Sequence, residues 1–172
     1  SGADRDGERR MKVFVEIVEG PLQPSKLAIG EGTGAFVVFE GVVRGVEDGK
    51  KLKALEYQVY EPMAGKQLES LAIAIVQEFG VLDVSVWHSS GLVKVGEVSF
   101  RLVIEGAHRH ESLEAVGEFI ERMKRDVPIW KKPVFAEDER GNKRGRSIFE
   151  KVVSVKNAAP KRLPKSKRKS KR

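Results

Sequence analysis

Two hydrophobic periodicities alternate along this chain, and their order limits the folds that it can form. Residues 12–20, KVFVEIVEG, alternate apolar and polar side chains as a half-buried strand does. A β-branched run at 35–45, interrupted by Gly41, is a second strand, and residues 52–60 alternate again. Because a short polar turn separates the last two runs, the sequence predicts that they form a hairpin.

Two helical patterns divide the remaining strands. Apolar side chains recur at helical spacing in residues 62–79, and Gly80 follows as a stop. A second helix is predicted at 109–127, ended by Pro128. Further strands are predicted at 81–87, 91–97, 98–107 and after Pro128. This order predicts an α+β fold, with a mixed or antiparallel sheet covered on one face by two main helices.

The predicted apolar stripe of the second helix ends on a lysine. The stripe consists of Leu113, Val116, Ile120 and Met123, and Lys124 occupies the next position on that face. Lys124 either extends its ammonium group to solvent or, if partly buried, has a lowered pKa suited to proton transfer. Lys131 is expected to return to the same neighbourhood, where two ammonium groups depress each other's pKa or bind an anion together.

The segment VPIWKKPVF has an unusual arrangement around its lysines. Pro128 and Pro133 are expected to hold the backbone extended on both sides of them. Ile129 and Trp130 are expected to anchor the segment in the core. Lys131 is then presented rigidly to a cleft.

Six cationic residues form a set that the apolar pattern does not require. His108 and Arg109 lie between a strand and a helix N-terminus, where free N–H groups favour an anion. The whole set predicts an anionic, phosphorylated substrate and consists of Arg44, His108, Arg109, Lys124, Lys131 and Lys132. The carboxylates on or beside the strands, Glu40, Glu56 and Glu97, are predicted to be partners of basic groups.

The net charge of +7 belongs to one end of the chain. Residues 156–172 hold nine Lys and Arg and no acid, which leaves residues 1–155 with 23 basic and 25 acidic residues, a net charge of −2. We therefore predict an N-terminal extension at 1–10, one domain at 11–150 and a basic tail at 151–172. The tail is either a solvated segment or an arm that contacts polyanions weakly.

Composition excludes several kinds of site. The chain has no cysteine, which rules out disulfides, zinc–thiolate sites and cysteine nucleophiles. Its three histidines lack metal-ligand spacing, so no metal is expected. Neither a membrane-spanning run nor a secretory signal is visible in the sequence, which predicts a cytoplasmic protein.

Four segments carry a resemblance to a known family. GAFVVFEGVVR, LEYQVYEPMA, GLVKVGEVSFRLVIEGAHR and MKRDVPIWKKPVF follow in the order typical of the large catalytic subunit of molybdopterin synthase. The resemblance covers about residues 11–150. It implies an α/β hammerhead-like fold with a small extra β subdomain. It also implies sulfurtransferase activity: conversion of precursor Z, a cyclic pyranopterin monophosphate, into molybdopterin, with no bound cofactor.

The resemblance also implies partners and residue roles. The sulfur donor is the thiocarboxylated C-terminus of a small ubiquitin-like subunit, and two large subunits form the central dimer of a heterotetramer. Lys124 and Lys131 match the family's catalytic lysines. Arg44 and the pair His108-Arg109 match residues that hold phosphate and pterin, and Lys132 adds to that pocket. His108 and Arg109 are expected to serve the neighbouring chain's site.

Departures from the family keep alternatives open. Ser89 replaces an arginine, which we interpret as a lost surface or interface contact, and Pro133 replaces a glutamate beside the lysines. Whether Arg144 or Arg146 reaches the pocket is not decided by the sequence. The alternatives to the synthase are a non-catalytic module that binds anions or nucleic acid, and an inactive paralogue with the same fold.

Overall fold

The computed structural model describes residues 11–136, which form seven strands and two helices. The elements are β1 (Lys12–Glu19), β2 (Ala35–Val42), β3 (Val46–Glu47), β4 (Lys50–Val59), α1 (Met63–Phe79), β5 (Asp83–Lys94), β6 (Val98–Gly106), α2 (Arg109–Asp126) and β7 (Ile129–Phe135). This confirms the α+β prediction and both helix ends. The predicted boundary at residue 150, the tail, Arg144 and Arg146 lie outside the described residues.

The strands form a mixed sheet in which β5 is the longest member. The order is β2-β6-β5-β4-β3, with β1 parallel to β5 and β7 antiparallel to β4. The first part of β5 pairs with β1 and β6, and its last residues, from Gly91 onward, pair with β4. Separate strands at 81–87 and 91–97 were therefore a wrong prediction. Gly91, at φ 74°, lets the backbone turn without ending the strand.

The predicted hairpin between 35–45 and 52–60 is also wrong in its pairing. Strand β2 pairs antiparallel with β6, and its register shifts between Gly41 and Val42. The hairpin is instead the short one between β3 and β4. Its turn residues, Asp48 at φ 50° and Gly49 at φ 76°, have the left-handed conformation that a two-residue hairpin turn requires. The bulge after Gly41 shifts the register by one residue of β6, and Val42, opposite Val98, forms the last pair before the chain enters that hairpin.

Both helices pack on the same face of the sheet, as predicted. The main core contains side chains of α1, α2, β5 and β6, among them Leu68, Ile75, Val84, Val86, Phe100, Leu102, Ile104 and Phe119. A second, smaller cluster lies where β4, β5 and β7 meet and contains Val43, Leu52, Leu55, Tyr57 and Val93, with Ile129 packed against both clusters. The second cluster positions the part of β7 that carries the lysines.

Two buried charged residues of β6 hold the segment between β1 and β2. Arg101 donates to Glu40 at 2.6 Å and to the carbonyl of Gln23 at 3.1 Å. Glu105 accepts hydrogen bonds from the backbone N–H of Gly30 and the hydroxyl of Thr33. The prediction that Glu40 is the partner of a base is confirmed.

The buried face of α2 differs from the predicted stripe. Leu113 is 59% exposed, and the buried residues of this helix are Ser112, Ala115, Phe119 and Met123. Val116 and Ile120 are partly buried at the edge of that face. The predicted stripe was chosen from the most hydrophobic side chains. The helix instead buries the small side chains of Ser112 and Ala115, because these allow it to lie close to the sheet. Lys124, next to Met123, is exposed at the C-terminal end of the helix.

Candidate active site

Strand β7 holds Lys131 in a fixed register against β4. Lys131 lies opposite Tyr57, and Ile129 lies opposite Val59. The extended conformation predicted between Pro128 and Pro133 is confirmed. Ile129 anchors the strand as predicted, but Trp130 is 50% exposed and does not.

The two adjacent lysines lie on opposite faces of the sheet. Successive side chains of a strand alternate between faces, and paired residues of neighbouring strands share a face. Lys131 therefore shares the face of Tyr57 and the second cluster. Lys132 lies opposite Glu56 and its ammonium nitrogen is 3.6 Å from that carboxylate. This confirms Glu56 as the partner of a base, and it separates Lys132 from the Lys131 site.

Three cationic residues come together at Lys131. The pKa of Lys131 is lowered, first because neighbouring atoms desolvate its ammonium group and then because the charges of Lys124 and Arg44 act on it. The carboxylate of Glu47 acts in the opposite direction. Lys131 as a residue is exposed, but protein atoms replace part of the water around its ammonium group. The prediction that Lys131 returns to the neighbourhood of Lys124 is confirmed.

His88, a buried residue that the sequence analysis missed, lies near Lys131. The rings of His88 and Tyr57 are 5.3 Å apart in an edge-on arrangement, and the Tyr57 hydroxyl donates to Ser99 at 2.8 Å. Nδ1 of His88 is 2.8 Å from the carbonyl of Ser89, so Nδ1 carries the proton. Burial lowers the pKa of His88, and the charge of Lys131 lowers it further. His88 is thus neutral beneath the lysine.

A signal for His88 was present in the sequence. It follows Val84 and Val86 at the alternating positions that face the core. Ser89, on the opposite side of the strand, is fully buried, and its hydroxyl has no hydrogen-bond partner among the described residues. The interpretation of Ser89 as the site of a lost surface contact was therefore wrong, and its alternative, a lost interface contact, stays a prediction.

His108 and Arg109 lie at the opposite end of α2 from Lys124. His108 is the N-cap residue, its backbone N–H donates to Glu111 at 2.9 Å, and its carbonyl accepts from Ser112 at 2.8 Å. The location at a helix N-terminus is as predicted. Fifteen residues of helix separate Arg109 from Lys124, a length of about 22 Å. One copy of the chain therefore does not bring these two parts of the predicted site together.

Other features of the described residues lie away from this cluster. A surface concavity of about 490 Å³ between β1 and α1 is lined by residues such as Phe14, Ile17, Gly65 and Glu69, and by none of the predicted site residues. Within residues 11–136 there is no group of three or more His, Asp or Glu side chains arranged to hold a metal ion. No helix in that range is long and apolar enough to cross a membrane.

Comparison with known proteins gives a consistent family. A family model described as MoaE protein matches residues 17–126. The molybdopterin synthase catalytic subunit of Bos taurus is 38% identical over 145 residues, which cover 83% of this chain and 77% of that protein.

Solved structures agree with the sequence comparison. The crystal structure of molybdopterin synthase from Staphylococcus aureus has 32% identity and a TM-score of 0.63, covering 74% of this chain and 93% of that one. A complex of subunits 1 and 2 of molybdopterin-converting factor from Helicobacter pylori 26695 has 28% identity and a TM-score of 0.55, covering 73% of this chain and 91% of that one. The chain belongs to the MoaE family, the catalytic subunits of molybdopterin synthase.

Proposed function

We propose that this chain is the catalytic subunit of a molybdopterin synthase and acts as a sulfurtransferase. It would convert precursor Z into molybdopterin with sulfur from the thiocarboxylated C-terminus of a small subunit. The observation that carries this proposal is the site at Lys131, where an ammonium group of lowered pKa lies beside Lys124 and Arg44. Family membership supplies the reaction, and this site supplies groups suited to it.

The charges of the site suit two anionic reactants. The substrate carries a phosphate and the sulfur donor carries a thiocarboxylate, so both are attracted to a cluster of cations. Arg44 offers a planar fork of donors that fits a phosphate or a carboxylate, whereas a lysine acts as a compact charge. In our proposal Lys131 transfers protons, because a lowered pKa brings a lysine closer to the working pH. Lys124 neutralises the anion that approaches it.

A partner must supply the sulfur. The chain contains no cysteine, so no thiol of its own can act as donor. The Helicobacter pylori relative is described as a complex of two subunits, which supports a small partner subunit for this chain as well. We propose that the partner's C-terminal segment enters beside Lys131, and that the chain needs no bound cofactor of its own.

A second copy of the chain would complete the anion site. Strand β2 pairs with β6 alone, so its other edge is open among the described residues. Its first residue, Ala35, pairs with Gly106, close to His108, and its last residue precedes Arg44 by two positions. The strand is about 24 Å long, comparable to the separation along α2.

The open edge suits pairing with itself. If two copies pair antiparallel along β2, the start of one strand lies beside the end of the other. His108 and Arg109 of one copy then approach Arg44 of its neighbour. The edge exposes Val38, Phe39 and Val42, and its single charge, Glu40, is already paired with Arg101. Exposed edges of soluble proteins usually carry unpaired charges that prevent such pairing, whereas the one charge of β2 is neutralised by Arg101.

A reconstituted assay tests the proposed function. The protein is mixed with a thiocarboxylated small subunit and precursor Z, and molybdopterin is measured for the wild type and Lys131→Ala. We expect product from the wild type and a loss of about 100-fold or more in the variant, which is the usual contribution of an acid–base group. A stable complex that yields no product with either protein would contradict the synthase and favour an inactive paralogue or a binding module.

A further inference from the structure

Tyr57 of β4 makes a hydrogen bond that crosses a neighbouring strand. Its hydroxyl donates to the hydroxyl of Ser99 on β6 at 2.8 Å, and both side chains are buried. Because β5 lies between β4 and β6 in the strand order, this bond joins two strands that do not pair with each other. Burial raises the pKa of Tyr57, which keeps its hydroxyl protonated and able to donate. Tyr57 thus ties the strand pair of β4 and β7 directly to β6.

The bulge near the end of β2 explains why Ser99 is available to Tyr57. Gly41 lies opposite Phe100 and Val42 lies opposite Val98, so Ser99 is the residue of β6 that has no partner on β2. A bulge can redirect the side chain of the extra residue. The Ser99 hydroxyl also lies 3.4 Å from the carbonyl of Gly41, to which it donates a longer and weaker hydrogen bond. The two hydroxyls therefore connect β4 through β6 to β2.

Beyond Gly41, the chain leads into a fixed segment that carries Arg44. Val43 makes two backbone hydrogen bonds, 2.9 and 3.0 Å long, to the turn between β5 and β6, and its side chain lies in the second cluster with Tyr57. The carbonyl of Gly45 accepts from the backbone N–H of Leu52 on β4 at 2.9 Å. The backbone is thus held on both sides of Arg44.

The position of Lys131 depends on how β4 is held. Within residues 11–136, β7 pairs with β4 alone, and Lys131 is the residue opposite Tyr57. The ring of Tyr57 is held in turn by His88 of β5, whose ring centre is 5.3 Å away. A displacement of Tyr57 would therefore move Lys131 with it.

We propose that Tyr57 is a positioning residue for the synthase reaction. The hydrogen bond from its hydroxyl to Ser99 holds Lys131 in a fixed place relative to β6 and to the end of β2 that leads to Arg44. This role rests on the proposed function, because it matters only if Lys131 transfers protons. Proton transfer requires the lysine within hydrogen-bond reach of the reacting group. Tyr57 acts through Lys131 and needs no contact with a reactant.

Tyr57→Phe tests this role because it removes the hydroxyl and keeps the ring. In the reconstituted synthase it should lower kcat by about 10-fold or more, since a misplacement of about 1 Å can lower a rate by about 100-fold. The KM for precursor Z should change little, because the cations that attract the substrate all remain. A residue that only stabilised the fold would reduce the amount of folded protein and leave the kcat of the folded enzyme unchanged. An unchanged kcat would therefore overturn the proposal.

A double-mutant cycle identifies the hydrogen bond itself as the cause. Ser99→Ala removes the same bond from its other end, so it should also lower kcat. The double variant Tyr57→Phe, Ser99→Ala should be no more impaired than Ser99→Ala alone, because the bond is already absent. If the two losses multiply, the residues act separately and the proposal is wrong.

Tyr60→Phe is the matched control. Tyr60 is the other tyrosine of the chain and is 57% exposed, so the loss of its hydroxyl should leave kcat at the wild-type value. A fall in kcat equal to that of Tyr57→Phe would show that the effect does not come from the buried bond.

An NMR measurement separates this inference from the proposed function. Lysine side chains are labelled with ¹³C at the ε carbon in the full-length chain, and the signals are assigned through Lys131→Arg and Lys132→Arg. In Tyr57→Phe and in Ser99→Ala the Lys131 signal should shift more than that of Lys132, which lies opposite Glu56 on the other face. Equal or absent shifts would overturn the positioning of Lys131 by Tyr57. If the wild type makes no product, the proposed function fails, and the NMR comparison still decides whether Tyr57 positions Lys131.

Discussion

Lys131 of β7 faces Tyr57 of β4 across an antiparallel strand pair, and His88 of β5 contacts the same tyrosine ring. Lys131 thereby lies on the same face of the sheet as two aromatic rings. The Tyr57 hydroxyl donates to Ser99, and Nδ1 of His88 donates to the carbonyl of Ser89. Burial removes water from around the ammonium group of Lys131, which lowers its pKa. Four elements far apart in sequence build this environment.

The faces of β7 predict different effects for its two lysines. Lys131→Ala should remove most synthase activity. Lys132→Ala should lower the activity less than about 5-fold, because Lys132 makes an exposed ion pair with Glu56 on the other face, and such a pair contributes up to about 1 kcal/mol. Both variants are assayed for product under the same conditions, and circular dichroism checks that each is folded. Equal losses in the two variants would contradict the assignment of Lys132 to the other face.

The composite site predicts complementation between inactive variants. Lys131→Ala and the double variant His108→Ala, Arg109→Ala should each have low activity as pure proteins. Mixing them after reversible dissociation should restore up to about a quarter of the wild-type activity, because half of the copies form mixed dimers with one intact site each. Mixing Lys131→Ala with Lys124→Ala, which alter the same half of the site, is the control and should restore nothing. Restoration in the control would refute a site shared in this way.

The buried His88 predicts a dependence of stability on pH. Its pKa is lowered in the folded chain from an ordinary value of 6.5. Below that value the unfolded chain binds a proton that the folded chain does not. The free energy of unfolding should therefore hold its full value above the ordinary pKa and decrease below it, by at most about 1.4 kcal/mol per pH unit.

Urea denaturation between about pH 8 and about pH 5 measures this slope. His88→Phe should lower stability throughout, because the carbonyl of Ser89 loses its donor, and should also flatten the slope. His110→Asn replaces a histidine whose side chain is 82% exposed and should leave the slope unchanged. A wild-type slope retained in His88→Phe would assign the effect to another group.

A close backbone approach positions the segment before His108. The N–H of Gly34 donates to Gly106 at 3.0 Å, and a Cβ at residue 34 would overlap the carbonyl oxygen of Ala107. Gly34→Ala should therefore cost about 1–3 kcal/mol of stability through overpacking. It should also weaken complementation by displacing His108.

Gly117→Ala provides the matched comparison for Gly34→Ala. Gly117 lies inside α2, and a Cβ added there would meet open space, so alanine should stabilise the helix by up to about 1 kcal/mol. Both variants are measured by urea denaturation. If Gly34→Ala is as stable as the wild type, the backbone approach at Ala107 is not as tight as described.

The helices and most strands were predicted correctly because their hydrophobic periods and their stop residues are visible in the local sequence. Gly80 ends α1 in a left-handed conformation, and the chain leaves α2 before Pro128, both as expected from backbone chemistry. The buried face of α2 was harder to predict, since Leu113 is exposed while Ser112 is buried. Close helix packing selected small residues that a hydrophobicity pattern ranks low.

The sequence by itself determined the helices, most of the strands and the identity of the cationic residues. Only the tertiary structure decided that β2 pairs with β6, and that Lys131 lies opposite Tyr57 whereas Lys132 lies opposite Glu56. It also decided that the charge of Glu47 acts on Lys131, and that the charge of Lys131 acts on the buried ring of His88. The reason is physical: periods and stops depend on neighbours along the chain, whereas strand partners, burial and pKa depend on residues that folding brings together.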